Sequence, residues 1–128
     1  MKFLLDSNMA LWFMEASPRM TDEACNLVKA PESEVFVSTI TIWELGIKAA
    51  IGKLQTAVPI ETIYTLTGFE CLEFKTEHAV AAAKLYPHHR DPFDRALIAQ
   101  AMVEDLVLLT SDRRLELYSC LLYTSRRG

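Results

Sequence analysis

Short apolar runs that alternate with helical patterns constrain the fold of this 128-residue chain more than any other feature. Apolar runs typical of buried strands occupy residues 3–5, 34–37, 69–74 and 106–109, and segments with helical spacing separate them. Such alternation predicts a parallel sheet with helices on both faces, because parallel strands need long crossover connections. We therefore expect an α/β fold, a three-layer α/β/α sandwich around a central parallel sheet of four to five strands. The fifth strand would be an edge strand at residues 121–123.

The length and composition favour one folded domain over residues 1–128. The three cysteines have no paired spacing, which predicts neither a disulfide framework nor a zinc site and favours a reducing cytoplasm. We expect no membrane association, because no window approaches the roughly 18 apolar residues of a membrane span. The net charge of −4 argues against binding nucleic acid by bulk electrostatics, so a nucleic-acid substrate would need a metal ion and a few local bases.

Four carboxylates stand where a predicted strand ends or a predicted helix begins. Asp6 and Asp112 each follow an apolar strand, and Glu44 and Asp94 lie in the early turns of two helical segments. Because the carboxyl ends of parallel strands share one edge of a sheet, we expect these acids to meet in one crevice. A group of carboxylates needs a cation, and an all-oxygen donor set suits Mg²⁺ or Mn²⁺. The sequence therefore predicts metal-dependent phosphate chemistry at this edge.

Each of these acids also has a purely structural interpretation, because a carboxylate in the first turn of a helix caps exposed amides. Asp91, which precedes a proline, is best explained as such a cap. Asp94 and Glu44 also stand at spacings compatible with a capping box. The pair His88 and His89 is a weak ligand candidate, because it lies in a polar loop without a recognised zinc-binding frame. The ordered set of four acids predicts a site more strongly than any single member does.

Four blocks carry a resemblance to a known family, and they occur in the order Leu4-Leu5-Asp6-Ser7, Trp43-Glu44, His89-Arg90-Asp91-Pro92-Phe93-Asp94-Arg95 and Thr110-Ser111-Asp112. Over residues 2–117 the chain resembles the PIN domain family, and within it the VapC-type toxins of bacterial toxin–antitoxin systems. The resemblance implies a Mg²⁺- or Mn²⁺-dependent endoribonuclease with an α/β/α fold that forms a homodimer. It also implies a cognate antitoxin whose C-terminal segment covers the acidic groove.

The resemblance assigns roles to particular residues of this chain. The catalytic acids that it implies are Asp6, Glu44, Asp94 and Asp112, and the metal ligands among them are Asp6, Asp94 and Asp112. Beside these acids, Ser7, Thr110 and Ser111 could orient water or phosphate, and Arg95 could hold a phosphate or simply pair with the carboxylates. Asp91, which belongs to the signature of one subgroup, is expected to support the metal ligands rather than to be one of them. Two features depart from the family pattern: Asn8 stands where members often carry histidine, and residues 119–128 do not resemble the usual family ending.

Two other functions fit part of the pattern. A HAD-like metal-dependent phosphatase or phosphotransferase would use Asp6 as its nucleophile. That chemistry expects a second acid two residues later, where this chain has Asn8. A non-enzymatic regulatory binding module would use the acids only for structure and would have no reason to bind Mn²⁺. We therefore favour hydrolysis of RNA phosphodiester bonds, with water rather than a side chain as the nucleophile.

Overall fold

The computed structural model describes residues 1–85, 91–111 and the backbone of 122–124, and the strands in these ranges form one parallel sheet. The strands are β1 (Lys2–Leu5), β2 (Glu34–Ser38), β3 (Glu70–Leu72), β4 (Val107–Thr110) and β5 (Leu122–Thr124). They lie in the order β3-β2-β1-β4-β5, and every neighbouring pair is parallel. The predicted parallel sheet is confirmed, with the predicted edge strand displaced by one residue.

Helices connect the first four strands, as the alternation predicts. They are α1 (Ser7–Met14), α2 (Asp22–Lys29), α3 (Thr39–Ala50), α4 (Ile63–Thr67, after a 3₁₀ turn at Ile60–Thr62), α5 (Thr76–Lys84) and α6 (Pro92–Glu104). Four of them begin at side chains that accept hydrogen bonds from first-turn amides, namely Asp6, Thr21, Ser38 and Asp91. The helix α4 ends at Gly68, whose φ of +78° is a conformation that glycine adopts without strain.

The sheet is covered on both faces, because successive residues of a buried strand point to opposite sides. Leu5 and Leu109 belong to a buried cluster that includes residues of α1, α2 and α4. Their neighbours Leu4 and Leu108 belong to a second cluster, which is formed mainly with α6 and includes Ile40 of α3. The predicted three-layer sandwich is therefore confirmed, with the core divided between the two faces of one sheet.

The helix α3 does not bury the face that its apolar spacing predicts: of the four apolar residues at helical spacing, Ile40, Trp43, Ile47 and Ile51, the structure buries only Ile40. Trp43 is 61% exposed and Ile51 is 60% exposed, whereas Thr41, Glu44 and Leu45 are buried. Periodicity places apolar residues in the core by default, but here hydrogen bonds to the first residue of α1 hold the polar face inward. The orientation of α3 therefore brings a carboxylate into the interior.

Two expectations drawn from composition concern the cysteines and membrane association. Cys25 and Cys71 are free thiols, and Cys120 lies outside the described residues. None of the helices in the described ranges is long and apolar enough to cross a membrane. Residues 112–114, where the sequence favours the start of a last short helix, also lie outside those ranges.

The direction in which the chain extends the sheet reverses between β1 and β4. The strands β2 and β3 extend it to one side of β1, and β4 and β5 extend it to the other. Such a reversal opens a crevice at the carboxyl ends of β1 and β4. The strand β1 ends at Leu5, and the next amide, that of Asp6, donates to the carbonyl oxygen of Leu109 in β4 at 3.1 Å. The fold thus places Asp6 at the crevice.

Candidate functional site

Asp6 is held by hydrogen-bond donors from two elements at the reversal point of the sheet. Its side chain caps α1, since Oδ1 accepts from the amide of Met9 at 2.7 Å. Oδ2 accepts from the hydroxyl of Thr110, the last residue of β4, at 2.6 Å. Asp6 is only 6% exposed and Thr110 is fully buried. Donors on both oxygens fix the orientation of this carboxylate.

Glu44 is positioned by a short chain of hydroxyl groups. Ser7 Oγ lies 2.6 Å from Glu44 Oε1 and 3.2 Å from Thr41 Oγ1. A serine hydroxyl has a single hydrogen, and the carboxylate can only accept, so Ser7 donates to Glu44 and Thr41 donates to Ser7. All three residues are buried. The buried face of α3 thus places the oriented carboxylate of Glu44 beside the start of α1.

Asp91 and Asp94 both lie at the beginning of α6 but have different surroundings. Asp91 Oδ1 accepts from the amide of Phe93 at 2.9 Å and from the amide of Asp94 at 3.4 Å. The interpretation of Asp91 as a helix cap is therefore confirmed. Asp94 is half-buried in the first turn of the helix and faces the same cleft as Asp91.

One small polar cleft collects the acids from three separate elements. Its volume is about 170 Å³, and its lining residues are Asp6, Ser7, Asn8, Glu44, Lys48, Asp91 and Asp94. Four carboxylates and a single ammonium group among these residues leave negative charge in excess. Mg²⁺ and Mn²⁺ prefer oxygen ligands, and these residues offer more carboxylate oxygens than positively charged groups. The lining residues therefore fit a divalent cation.

Among the described residues, two predicted site residues, Arg95 and Ser111, do not line this cleft. The Arg95 guanidinium donates to the carbonyl oxygens of Ala82 and Leu85 at 2.8 and 2.9 Å, so it binds the C-terminal end of α5. Ser111 follows β4 and does not contribute to the lining. Asp112 lies outside the described residues, as do His88 and His89.

Sequence reasoning missed two residues of the site. Lys48 donates to Glu44 Oε2 at 3.1 Å, and Thr41 supports Ser7 as described above. The spacing of four residues between Glu44 and Lys48 could have indicated the first contact, because residues at i and i+4 are neighbours on a helix. No local pattern relates Thr41 to Ser7, which are 34 residues apart.

A second group of acids lies between α5 and α6. The ligand atoms of Glu77, His78 and Glu104 are all within 4.8 Å of one another. The amide of Lys75 donates to His78 Nδ1 at 2.9 Å, so that nitrogen carries no hydrogen in the neutral ring. The hydrogen must then be on Nε2, which donates to Glu104 Oε2 at 2.7 Å. The imidazole nitrogen that faces the two acids is thus a donor, which is incompatible with its binding a metal ion.

The fold and the cleft define the class of the protein, an α/β protein with an acidic cleft at the reversal point of a parallel sheet. The family model described as "PIN domain" matches residues 3–119. The chain therefore belongs to the PIN domain family, as its sequence blocks predict. No curated protein matches the chain significantly.

Several solved structures share this fold. A chain of VapBC2 from Rickettsia felis, bound to a DNA fragment from its promoter, is 16% identical with a TM-score of 0.71, and the match covers 98% of this chain and 99% of that chain. A toxin–antitoxin complex from Klebsiella pneumoniae gives 18% identity, a TM-score of 0.67 and coverages of 94% and 95%. VapBC-1 from nontypeable Haemophilus influenzae is 21% identical with a TM-score of 0.66, and the match covers 97% of this chain and 98% of that chain. The likeness extends over nearly the whole length of both chains in each pair.

Proposed function

We propose that this protein is a Mg²⁺- or Mn²⁺-dependent endoribonuclease that hydrolyses RNA phosphodiester bonds and acts as the toxin of a toxin–antitoxin pair. The observation that carries the proposal is the convergence of Asp6, Glu44 and Asp94 on one cleft at the reversal point of the sheet. Membership of the PIN domain family supports nuclease chemistry. The likeness to chains of VapBC complexes supports the toxin role.

The proposed metal ligands are Asp6, Asp94 and Asp112, with Glu44 completing the site directly or through water. A divalent ion held there would lower the pKa of a coordinated water and stabilise charge on the phosphate. No side chain has to act as a nucleophile in this chemistry. That assignment separates it from a phosphatase in which Asp6 would attack phosphorus.

The side chains around the acids contribute by limiting their freedom to move. Thr110 and the first turn of α1 hold both oxygens of Asp6, and Ser7 holds one oxygen of Glu44. Oriented carboxylates bind a cation without first losing rotamer entropy, so such neighbours raise both affinity and rate. We propose this orienting role for Ser7 and Thr110 in the same reaction.

The proposed partners are a cognate antitoxin and a second copy of the chain, both in the cytoplasm, where RNA is available. The structures of VapBC complexes support an antitoxin partner. Exposed apolar side chains on α3, Trp43 and Ile47, are of the type found in protein contacts. Light scattering coupled to gel filtration measures the mass in solution, and a monomeric mass at micromolar concentration would contradict the homodimer.

RNA cleavage with and without metal tests the proposal directly. A mixture of structured RNAs that includes tRNAs is incubated with Mg²⁺, with Mn²⁺ and with EDTA, for the wild type and for Asp6→Asn and Asp94→Asn. Asp105→Asn is the matched control, because it makes the same chemical change at the far end of α6, where a φ of +56° suits asparagine.

We expect metal-dependent cleavage that both cleft variants lose and the control retains. Cleavage that persists in folded Asp6→Asn and Asp94→Asn would contradict the assignment of the acids. Absence of both cleavage and Mn²⁺ binding in the wild type would contradict the enzyme and favour a non-enzymatic binding module.

A further inference from the structure

Lys48 is the positively charged residue among the described residues that line the acidic cleft. It follows Glu44 by one turn of α3, and its ammonium donates to Glu44 Oε2 at 3.1 Å. The Lys48 side chain is 43% exposed, whereas that of Glu44 is 11% exposed. The pair therefore joins a buried, oriented carboxylate to a cation that remains in contact with solvent.

The position of Lys48 differs from that of an ordinary surface pair on a helix. Exposed pairs at this spacing join two mobile side chains and contribute little to stability. Here the other oxygen of Glu44 already accepts from Ser7, so the carboxylate cannot follow the lysine. The mobile partner is Lys48, and its contact with Glu44 puts its charge where a divalent cation would otherwise interact with the same oxygen.

The lysine side chain can also reach an incoming phosphate. Its four-carbon stem is flexible and its ammonium is a point charge, the form in which lysine binds phosphate groups. Arg95 is directed instead to the carbonyl oxygens at the end of α5. Movement of Lys48 from Glu44 to a phosphate requires only side-chain rotation, since half of the side chain is in solvent.

We propose that Lys48 is a substrate-phosphate-binding residue of this cleft and that, in the free protein, it occupies the position of the cation beside Glu44. The proposal rests on the function proposed above. It has two consequences of opposite sign, because the same positive charge attracts the RNA backbone and repels a divalent ion. Removing the charge should weaken RNA binding and strengthen metal binding.

Four proteins test the proposal: the wild type, Lys48→Gln, Lys48→Arg and Lys53→Gln. Lys53→Gln is the matched control, because it removes the same charge from an exposed position just after α3. Calorimetric titration with MnCl₂ alone gives the metal dissociation constant. Fluorescence anisotropy with a single-stranded oligoribonucleotide in EDTA, at several salt concentrations, gives RNA affinity and its salt dependence, and thermal denaturation checks folding.

For Lys48→Gln we expect Mn²⁺ binding about 3- to 10-fold tighter and RNA binding about 3- to 10-fold weaker. The slope of log affinity against log salt should fall by about 0.7, the value for one phosphate contact to a single strand. Lys48→Arg should restore RNA binding, and Lys53→Gln should behave like the wild type in both assays.

The remaining outcomes distinguish failure of this proposal from failure of the proposed function. If Lys48→Gln weakens RNA and Mn²⁺ binding together, Lys48 only maintains the shape of the cleft. If Lys48→Gln matches the wild type in both assays while the wild type cleaves RNA, the role of Lys48 is wrong and the nuclease stands. If the wild type binds neither Mn²⁺ nor RNA, both proposals fail.

Discussion

Two groups of acids in this protein have similar composition but different hydrogen-bonding. In the cleft, Asp6 and Glu44 accept hydrogen bonds from hydroxyl and amide donors that hold them in place. Between α5 and α6, Glu104 accepts from the buried imidazole of His78, which is itself fixed by the amide of Lys75. The residues that line the cleft carry an excess of negative charge. The second group instead contains its own hydrogen-bond donor, the imidazole of His78.

The comparison teaches that proximity of acidic side chains does not by itself define a metal site. Hydroxyl and amide donors orient the carboxylates of the cleft, and the one ammonium group among the lining residues, that of Lys48, offsets only part of the charge of the four acids. A histidine that uses its hydrogen toward a carboxylate has no lone pair left there for a metal ion. The direction in which each hydrogen points therefore separates a candidate metal site from a structural cluster.

The largest expected effect is at Asp6 and tests the acids of the cleft. Asp6→Asn places an amide where both carboxylate oxygens now accept, so one donor would face another donor as well as losing the charge. We expect metal-dependent RNA cleavage to fall by roughly 1,000-fold, equivalent to several kcal/mol of lost charge stabilisation. Single-turnover cleavage in Mn²⁺ measures it, and a loss below about 10-fold would show that Asp6 is dispensable.

The next largest effect is at His78 and tests the cluster between α5 and α6. His78→Ala removes a fully buried ring and leaves the amide of Lys75 without its acceptor, so we expect a loss of about 2–4 kcal/mol in the free energy of unfolding. Urea denaturation measures this loss. Val80→Ala, on the exposed side of α5, should change stability by about 0.5 kcal/mol or less. Mn²⁺ affinity of the folded His78 variant should equal that of the wild type, and a weaker affinity would make this cluster a metal site.

A smaller effect separates orientation of Asp6 from its charge. Thr110→Val keeps the shape of a buried side chain but removes the donor to Oδ2. We expect a loss of about 10- to 100-fold in Mn²⁺ affinity or cleavage, the usual consequence of removing a hydrogen bond to a metal-binding group. Thr110→Ser restores the hydroxyl and should recover most of it. Equal losses in both variants would assign the effect to packing.

The smallest effect is expected at Glu77, one of the two exposed acids of the second cluster. Glu77→Gln removes one negative charge beside His78 without changing a buried hydrogen bond, so stability should change by no more than about 0.5 kcal/mol. Calorimetry should give the same number of Mn²⁺ ions bound as in the wild type. A decrease by one ion would remove the distinction between the two clusters.

Much of the fold could be predicted because its signals are local. Apolar runs identified the strands, and Asp91 before a proline identified the start of α6 within one residue. The strand β3 is shorter than its alternation predicts, since only Glu70–Leu72 pair with β2. The face of α3 was mispredicted at Trp43, because periodicity cannot detect hydrogen bonds to a distant helix.

The site was predictable in part for a different reason. Asp6, Glu44 and Asp94 were named because parallel topology gathers the ends of strands and the starts of helices at one edge. Lys48 was missed although its spacing from Glu44 was visible, because a lysine on a helix is usually a solvated residue. The donor from Thr110 to Asp6 joins residues 104 positions apart and leaves no local pattern.

The amino-acid sequence by itself determined the strand–helix alternation, the family and most of the acidic residues of the cleft, because each depends on residue type and short-range spacing. Only the tertiary structure decided which oxygen accepts from which donor, that Lys48 is placed against Glu44, and that His78 belongs to a structural cluster. Those outcomes depend on packing between elements far apart in the chain. Their free energies are set by distance and angle, which residue order does not encode locally.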